Sequence, residues 1–141
     1  ESLAPVQIHP LQPRARLNDL LGLATLHLLP QIDGVSNAVL PSKLGNMLAS
    51  GRPIVATAAT GTALHAAVAG CGRIVPAGDL ARLVGAIEAL LDHPEERRLA
   101  GTTARHRAER EWNKAAIIAE FRSVLSVDTR ALVRAEEAVQ S

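Results

Sequence analysis

The chain has 141 residues, enough for one compact domain with a sizeable core and too few for two ordinary ones. Apolar residues make up 48% and charged residues 21%, as in a soluble globular protein, but with only Trp112 and Phe121 as aromatics the core must be aliphatic. The net charge is +1, and Arg97, Arg98, Arg105 and Arg107 alternate with Glu95, Glu96, Glu109 and Glu111, which argues against nucleic-acid binding.

The single cysteine, Cys71, excludes an internal disulfide and a thiolate metal site and fits a reduced, cytoplasmic setting. The apolar stretch Leu20 to Leu29 is interrupted by Gly22, Thr25 and His27 and falls short of the roughly 18 residues a spanning helix needs. The start, ESLAPVQIHP, lacks the basic and apolar regions of a secretory leader, and its immediate strand-like pattern suggests an internal piece of a longer protein.

In chain order, Val6 and Ile8 alternate with Gln7 ahead of Pro10 and Pro13, which predicts a short strand entering a loop. Leu17, Leu20, Leu21 and Ala24 follow the spacing of one buried helical face. Leu26 to Leu29, ended by Pro30, reads as a fully buried strand, and residues 31–40 read as a loop. Leu44, Met47 and Leu48 form the apolar stripe of a helix from Ser42 to Ser50, stopped by Gly51 and Pro53.

Ile54 to Ala56 is a further buried strand, Ala63 to Ala69 a weak helix, and Arg73 to Val75 another strand. Asp79 is placed to cap a helix whose Leu80, Leu83, Val84, Ile87 and Leu91 lie near one face. Pro94, Glu95 and Glu96 open a polar helix, acidic at its positive end. Trp112 and Asn113 mark a break, after which Ile117, Ile118, Phe121, Val124 and Leu125 line one side of a last helix. The order β-α-β-α-β-α-β-α followed by helices predicts an α/β, Rossmann-like open parallel sheet flanked by helices. One domain is expected over 1–126, with 127–141 a C-terminal helix or tail.

In such a sheet, ligands bind beyond the carboxyl ends of the strands. The loop after Leu29 leads to Ser42 and Lys43 at a helix start, where free N–H groups and about half a positive charge favour an anion. Lysine adds a cation for phosphate oxygens, yet serine is also a common cap and a first-turn lysine is usually solvated, and GxxxxGK[ST] is absent. Ser42 and Asn46 share a helix face at i and i+4. Asp33 is placed to touch a sugar hydroxyl and equally suits a turn. The five histidines lack metal-ligand spacing, and His27 reads as a satisfied core residue.

The segments LPSKLGNMLASGRPIVATAATGTAL, CGRIVPAGDLARLVGAIEALLDHPEERRLAGTTAR and AEREWNKAAIIAEF resemble, in this order, the C-terminal domain of a GT-B fold glycosyltransferase of the GT4 (group 1) type, nearest the colanic-acid-biosynthesis subgroup. The resemblance covers Val6 to about Leu125. It implies part of a donor-binding domain, with the acceptor domain and the early strands of the C-terminal domain missing.

On this resemblance, Ser42 and Lys43, with Pro41 beside them, match the place where backbone amides meet the donor diphosphate. Asn46 stands where many members carry the ribose-binding second glutamate of an E-x7-E motif, and Ala38 where they carry the first. Leu11 and Gln12, after Pro10, match the segment passing beside the nucleobase, and Gly61 with Thr62 resembles the glycine-rich turn facing the donor. No residue is assigned as catalytic base. The implied partners are a nucleotide-sugar and an acceptor sugar or lipid-linked saccharide. No metal or other cofactor is expected, and the expected location is cytoplasmic, at the inner face of the membrane with peripheral association of the full-length protein. A nucleotide-sugar epimerase of the same architecture and a non-catalytic Rossmann-like binding module are the alternatives.

Overall fold

A computed structural model describes residues 7–32 and 40–125. A 3-10 turn (Arg14–Arg16) leads into α1 (Leu17–Leu23), followed by β1 (His27–Leu29), α2 (Leu44–Ala49), β2 (Ile54–Thr57), α3 (Ala63–Val68), β3 (Gly72–Val75), α4 (Leu80–Asp92) and α5 (Pro94–Glu111). After the break at Trp112 and Asn113, residues 114–125 are helical. The three strands form a parallel sheet in the order β1-β2-β3, pairing His27 with Ile54 and Ile54 with Gly72.

The central strand decides the layering. Ile54, Val55 and Ala56 are fully buried, because β2 has strands on both edges and helices on both faces. Ile54 and Ala56 join Leu29, Leu44, Leu48, Leu64, Val68 and Cys71 on one face, under α2, α3 and α5. Val55 joins Val75, Ala86 and Leu90 on the other, under α4. The architecture is thus an α/β, Rossmann-like open parallel sheet flanked by helices, as the alternating pattern predicts.

Several expectations need correction. Gln7 to Pro10 form no strand, and Ile8 is 92% exposed: between prolines, and with no neighbouring strand among the described residues, this stretch has no ladder to join. Strand β1 is not buried on both faces. Leu28 is 47% exposed while His27 and Leu29 are buried, since β1 is an edge strand and α4 covers only the β2 and β3 side of its face. Helix α1 forms where the spacing places it but buries none of its residues.

Helix α4 is rotated relative to the expected stripe. Leu83 and Ile87 pack inward with Ala86 and Leu90, whereas Leu80, Val84 and Leu91 face out. Its apolar residues are broad enough for two stripes, and the sheet selects the one with the smaller alanine for close approach. Helix α2 begins at Leu44, so Ser42 and Lys43 lie in the preceding turn, closed by the Leu44 amide donating to the Pro41 carbonyl at 2.9 Å. Strand β2, expected over Ile54 to Ala56, extends to Thr57.

Helix α5 is held by close contact. A Cβ on Gly101 would collide with the Gly51 carbonyl, so only glycine lets α5 cross this loop and seat Ala104 and Ala108 in the core. Gly72 likewise has φ of +151°, and a side chain there would strike the Ile54 carbonyl. Among the described residues, no helix is long and apolar enough to cross a membrane.

Candidate functional site at the carboxyl edge of the sheet

All three strands end at one edge. There Pro30, Gln31, Thr57, Gly78, Asp79 and Leu83 line a small cavity of about 180 Å3. The Thr57 hydroxyl ties β1 to β2 beyond their last paired residues, accepting from the Gln31 amide at 2.6 Å and donating to the Gln31 carbonyl at 2.8 Å. Gln31 Oε1 is buried without a hydrogen-bond partner among the described residues. Asp79 caps α4 by accepting from the Arg82 amide at 2.9 Å, as its position in the sequence predicts.

Two turns lead from this edge into helices. The turn Pro41-Ser42-Lys43 precedes α2, and the side chains of Ser42 and Lys43 are exposed with no hydrogen-bond or ion-pair partner among the described residues. The turn at Gly61, with φ of +84°, precedes α3. Thr62 caps that helix: its hydroxyl accepts from the His65 amide at 3.2 Å and donates to the Ala59 carbonyl at 2.8 Å, so its hydrogen-bonding capacity is committed locally. An exposed hydroxyl and an ammonium therefore lie in the turn that enters α2, and Gly61 forms the backbone turn that enters α3. That arrangement can meet the oxygens of an anion by charge and by N–H donation.

The remaining candidates are spread more widely. Asn46 is exposed but lies in a groove with Asn18, Gly22 and Ser50, between α1 and α2 rather than above the sheet edge. Leu11 is fully exposed, and Gln12 donates to the Pro10 carbonyl at 2.9 Å in a separate cavity beside α1. Asp33 and Ala38 lie outside the described residues. The structure thus places Ser42 and Lys43 with Gly61 and Thr62 at one edge and sets Leu11, Gln12 and Asn46 apart from it. Gln31 was not singled out by the sequence, and its only signal there was its place directly after a strand ended by proline.

His27 is a satisfied core histidine. Ser50 Oγ donates to the Met47 carbonyl at 2.6 Å, leaving its lone pairs to accept from the Arg52 amide at 3.2 Å and from His27 Nε2 at 2.9 Å. The imidazole therefore carries its proton on Nε2. Burial, with the nearby Arg52 charge, holds the His27 pKa below the usual histidine value. Burial likewise pushes the Cys71 thiol up, consistent with a small core residue.

The opposite, amino edge has a different chemistry. There arginines donate to the last carbonyls of four helices. Arg52 reaches Gly22 of α1 at 2.6 Å, Arg105 reaches Ala49 of α2 at 2.6 Å, Arg107 reaches Ala66 and Ala67 of α3, and Arg97 reaches Leu90 and Leu91 of α4. Helices that run antiparallel to the strands bring their negative ends to this edge, and guanidinium groups satisfy the orphan carbonyls there.

No protein-family model matches the chain, and no solved structure does. Over 122 residues, 84% of the chain, it is 35% identical to a protein of Escherichia coli (strain K12) provisionally named a colanic acid biosynthesis glycosyl transferase, WcaI. The chain spans 29% of that relative's length. It is related in sequence to a glycosyltransferase.

Proposed function

We propose that this chain is the donor-binding part of a glycosyltransferase, holding a nucleotide-sugar at the carboxyl edge of its sheet. The observation that carries this reading is the pair of polar turns, Pro41-Ser42-Lys43 and Gly61-Thr62, that open into helices from adjacent parallel strands. The relationship to a glycosyltransferase supports it independently. In this reading the Lys43 ammonium and the amides at the start of α2 neutralise the donor diphosphate. The same groups would stabilise that diphosphate as it departs, an electrostatic contribution that needs no side-chain base.

The rest of the reading follows from the donor role. The acceptor, a polysaccharide or lipid-linked saccharide, would be held by a separate N-terminal domain, in a hexosyltransferase acting at the cytoplasmic face of the membrane, and this part alone would be inactive. No metal is assigned a role. Asn46, where many members of the resembled family carry glutamate, is assigned to the ribose, which requires the donor to extend from the sheet edge along α2.

Calorimetric titration with UDP, GDP and ADP tests the proposal. One nucleoside diphosphate is expected to bind, and Lys43→Ala to weaken it about tenfold, the value of one charge-assisted contact. Absence of binding to all three overturns the donor role, and equal binding by the variant overturns the part given to Lys43. An epimerase would release an altered nucleotide-sugar from the donor alone, so a product assay without acceptor separates that reading.

A further inference from the structure

The largest cavity among those described, about 690 Å3, lies at the amino edge of the sheet, opposite the proposed donor site. It is bounded by the end of α1, the α2–β2 loop and one face of α5, and Arg52, Arg97, Arg98, Arg105 and His106 line it. No carboxylate belongs to its lining.

Helix capping explains why arginines are here but leaves much of their capacity open. A guanidinium has five N–H donors. Arg52 uses one nitrogen, on the Gly22 carbonyl, and Arg97 one, shared between the Leu90 and Leu91 carbonyls. Neither has a carboxylate partner among the described residues, whereas Arg98 pairs with Glu95 at 3.1 Å and Arg105 with Glu109 at 2.7 Å, both outside the lining. Capping also limits the freedom of Arg52, Arg97 and Arg105, so their unused donors are held in place rather than left on mobile stems. Fixed, forked donors around a concave space whose lining holds no carboxylate match the geometry of phosphate oxygens.

We infer that this cavity is a second anion site, distinct from the carboxyl edge, that takes a dissolved ligand bearing a diphosphate or longer phosphate group. Inorganic pyrophosphate is the probe, titrated into the chain while the amide resonances are followed. The expected result is saturable shifts at Gly51, Thr102 and His106, weakening as salt is raised. Arg98→Gln leaves every helix cap in place and is expected to weaken these shifts about tenfold, with His106→Gln as a second variant.

Lys43→Ala is expected to leave them unchanged, which separates this site from the proposed donor site. Failure of the donor proposal would not touch this one, since its readout is confined to the amino edge. Three results overturn it: shifts only near Ser42 and Lys43, equal shifts with sulfate at matched ionic strength, or binding to phosphatidylglycerol vesicles with no response to pyrophosphate.

Discussion

The two edges of this sheet carry opposite kinds of polar group. At the carboxyl edge one charged side chain, Lys43, is exposed and unpartnered among the described residues, and the turns beside it present backbone donors. At the amino edge four arginines are tied to helix carbonyls. The difference follows from direction: with strands parallel and helices returning antiparallel, one edge collects helix starts and the other helix ends. A cation among helix ends stabilises the fold, whereas a cation beside helix starts gains nothing from the helix dipole.

The sharpest way to break this contrast is at the α5 crossing on the amino edge. Gly101→Val should cost about 3 kcal/mol or more in urea unfolding, because the added side chain meets the Gly51 backbone, which cannot move without shifting β2. A loss near zero would mean that α5 is not seated as described.

Smaller but more telling is a matched pair. Arg107→Ala should lose about 1.5–3 kcal/mol, because it removes the caps on two α3 carbonyls, made by a side chain that is 18% exposed. Lys43→Ala should change stability by less than about 0.5 kcal/mol. If thermal unfolding showed the two to be equally destabilising, the division between a structural and a binding edge would fail.

A third effect depends on pH. The His27 pKa is lowered in the folded state, so the unfolded chain binds this proton more readily, and stability is complete above the ordinary histidine value of about 6.5. It should decline as pH falls below that value, and His27→Gln should flatten this part of the urea midpoint profile between about pH 7 and 5. An unchanged profile would remove His27 from the amino-end network of Ser50 and Arg52.

The smallest expected effect is at the carboxyl edge. Gln31→Met should be neutral or slightly stabilising, within about 0.5 kcal/mol, since it removes a buried acceptor that has no partner among the described residues. A large loss in calorimetric unfolding would show that Gln31 Oε1 is satisfied in solution.

How far these features could be read in advance varied with their range. Caps and stops are local, and Asp79, Pro94 and the break at Trp112 lie where the sequence puts them. The exposure of Leu28 and the rotation of α4 depend on which neighbour covers each face, and no spacing rule contains that. Asn46 illustrates the limit for the site. Its place one turn after Ser42 is local, but its position in the groove beside α1 follows from how two helices pack.

Amino-acid order alone determined the alternation of aliphatic runs, the order of the helices and hence the class of fold, because periodicity, capping and turn chemistry act over a few residues. Only the tertiary structure decided what the arginines do. Arg105 and Ala49, and Arg107 and Ala66, are far apart in sequence, and meet because parallel strands gather four helix ends at one edge.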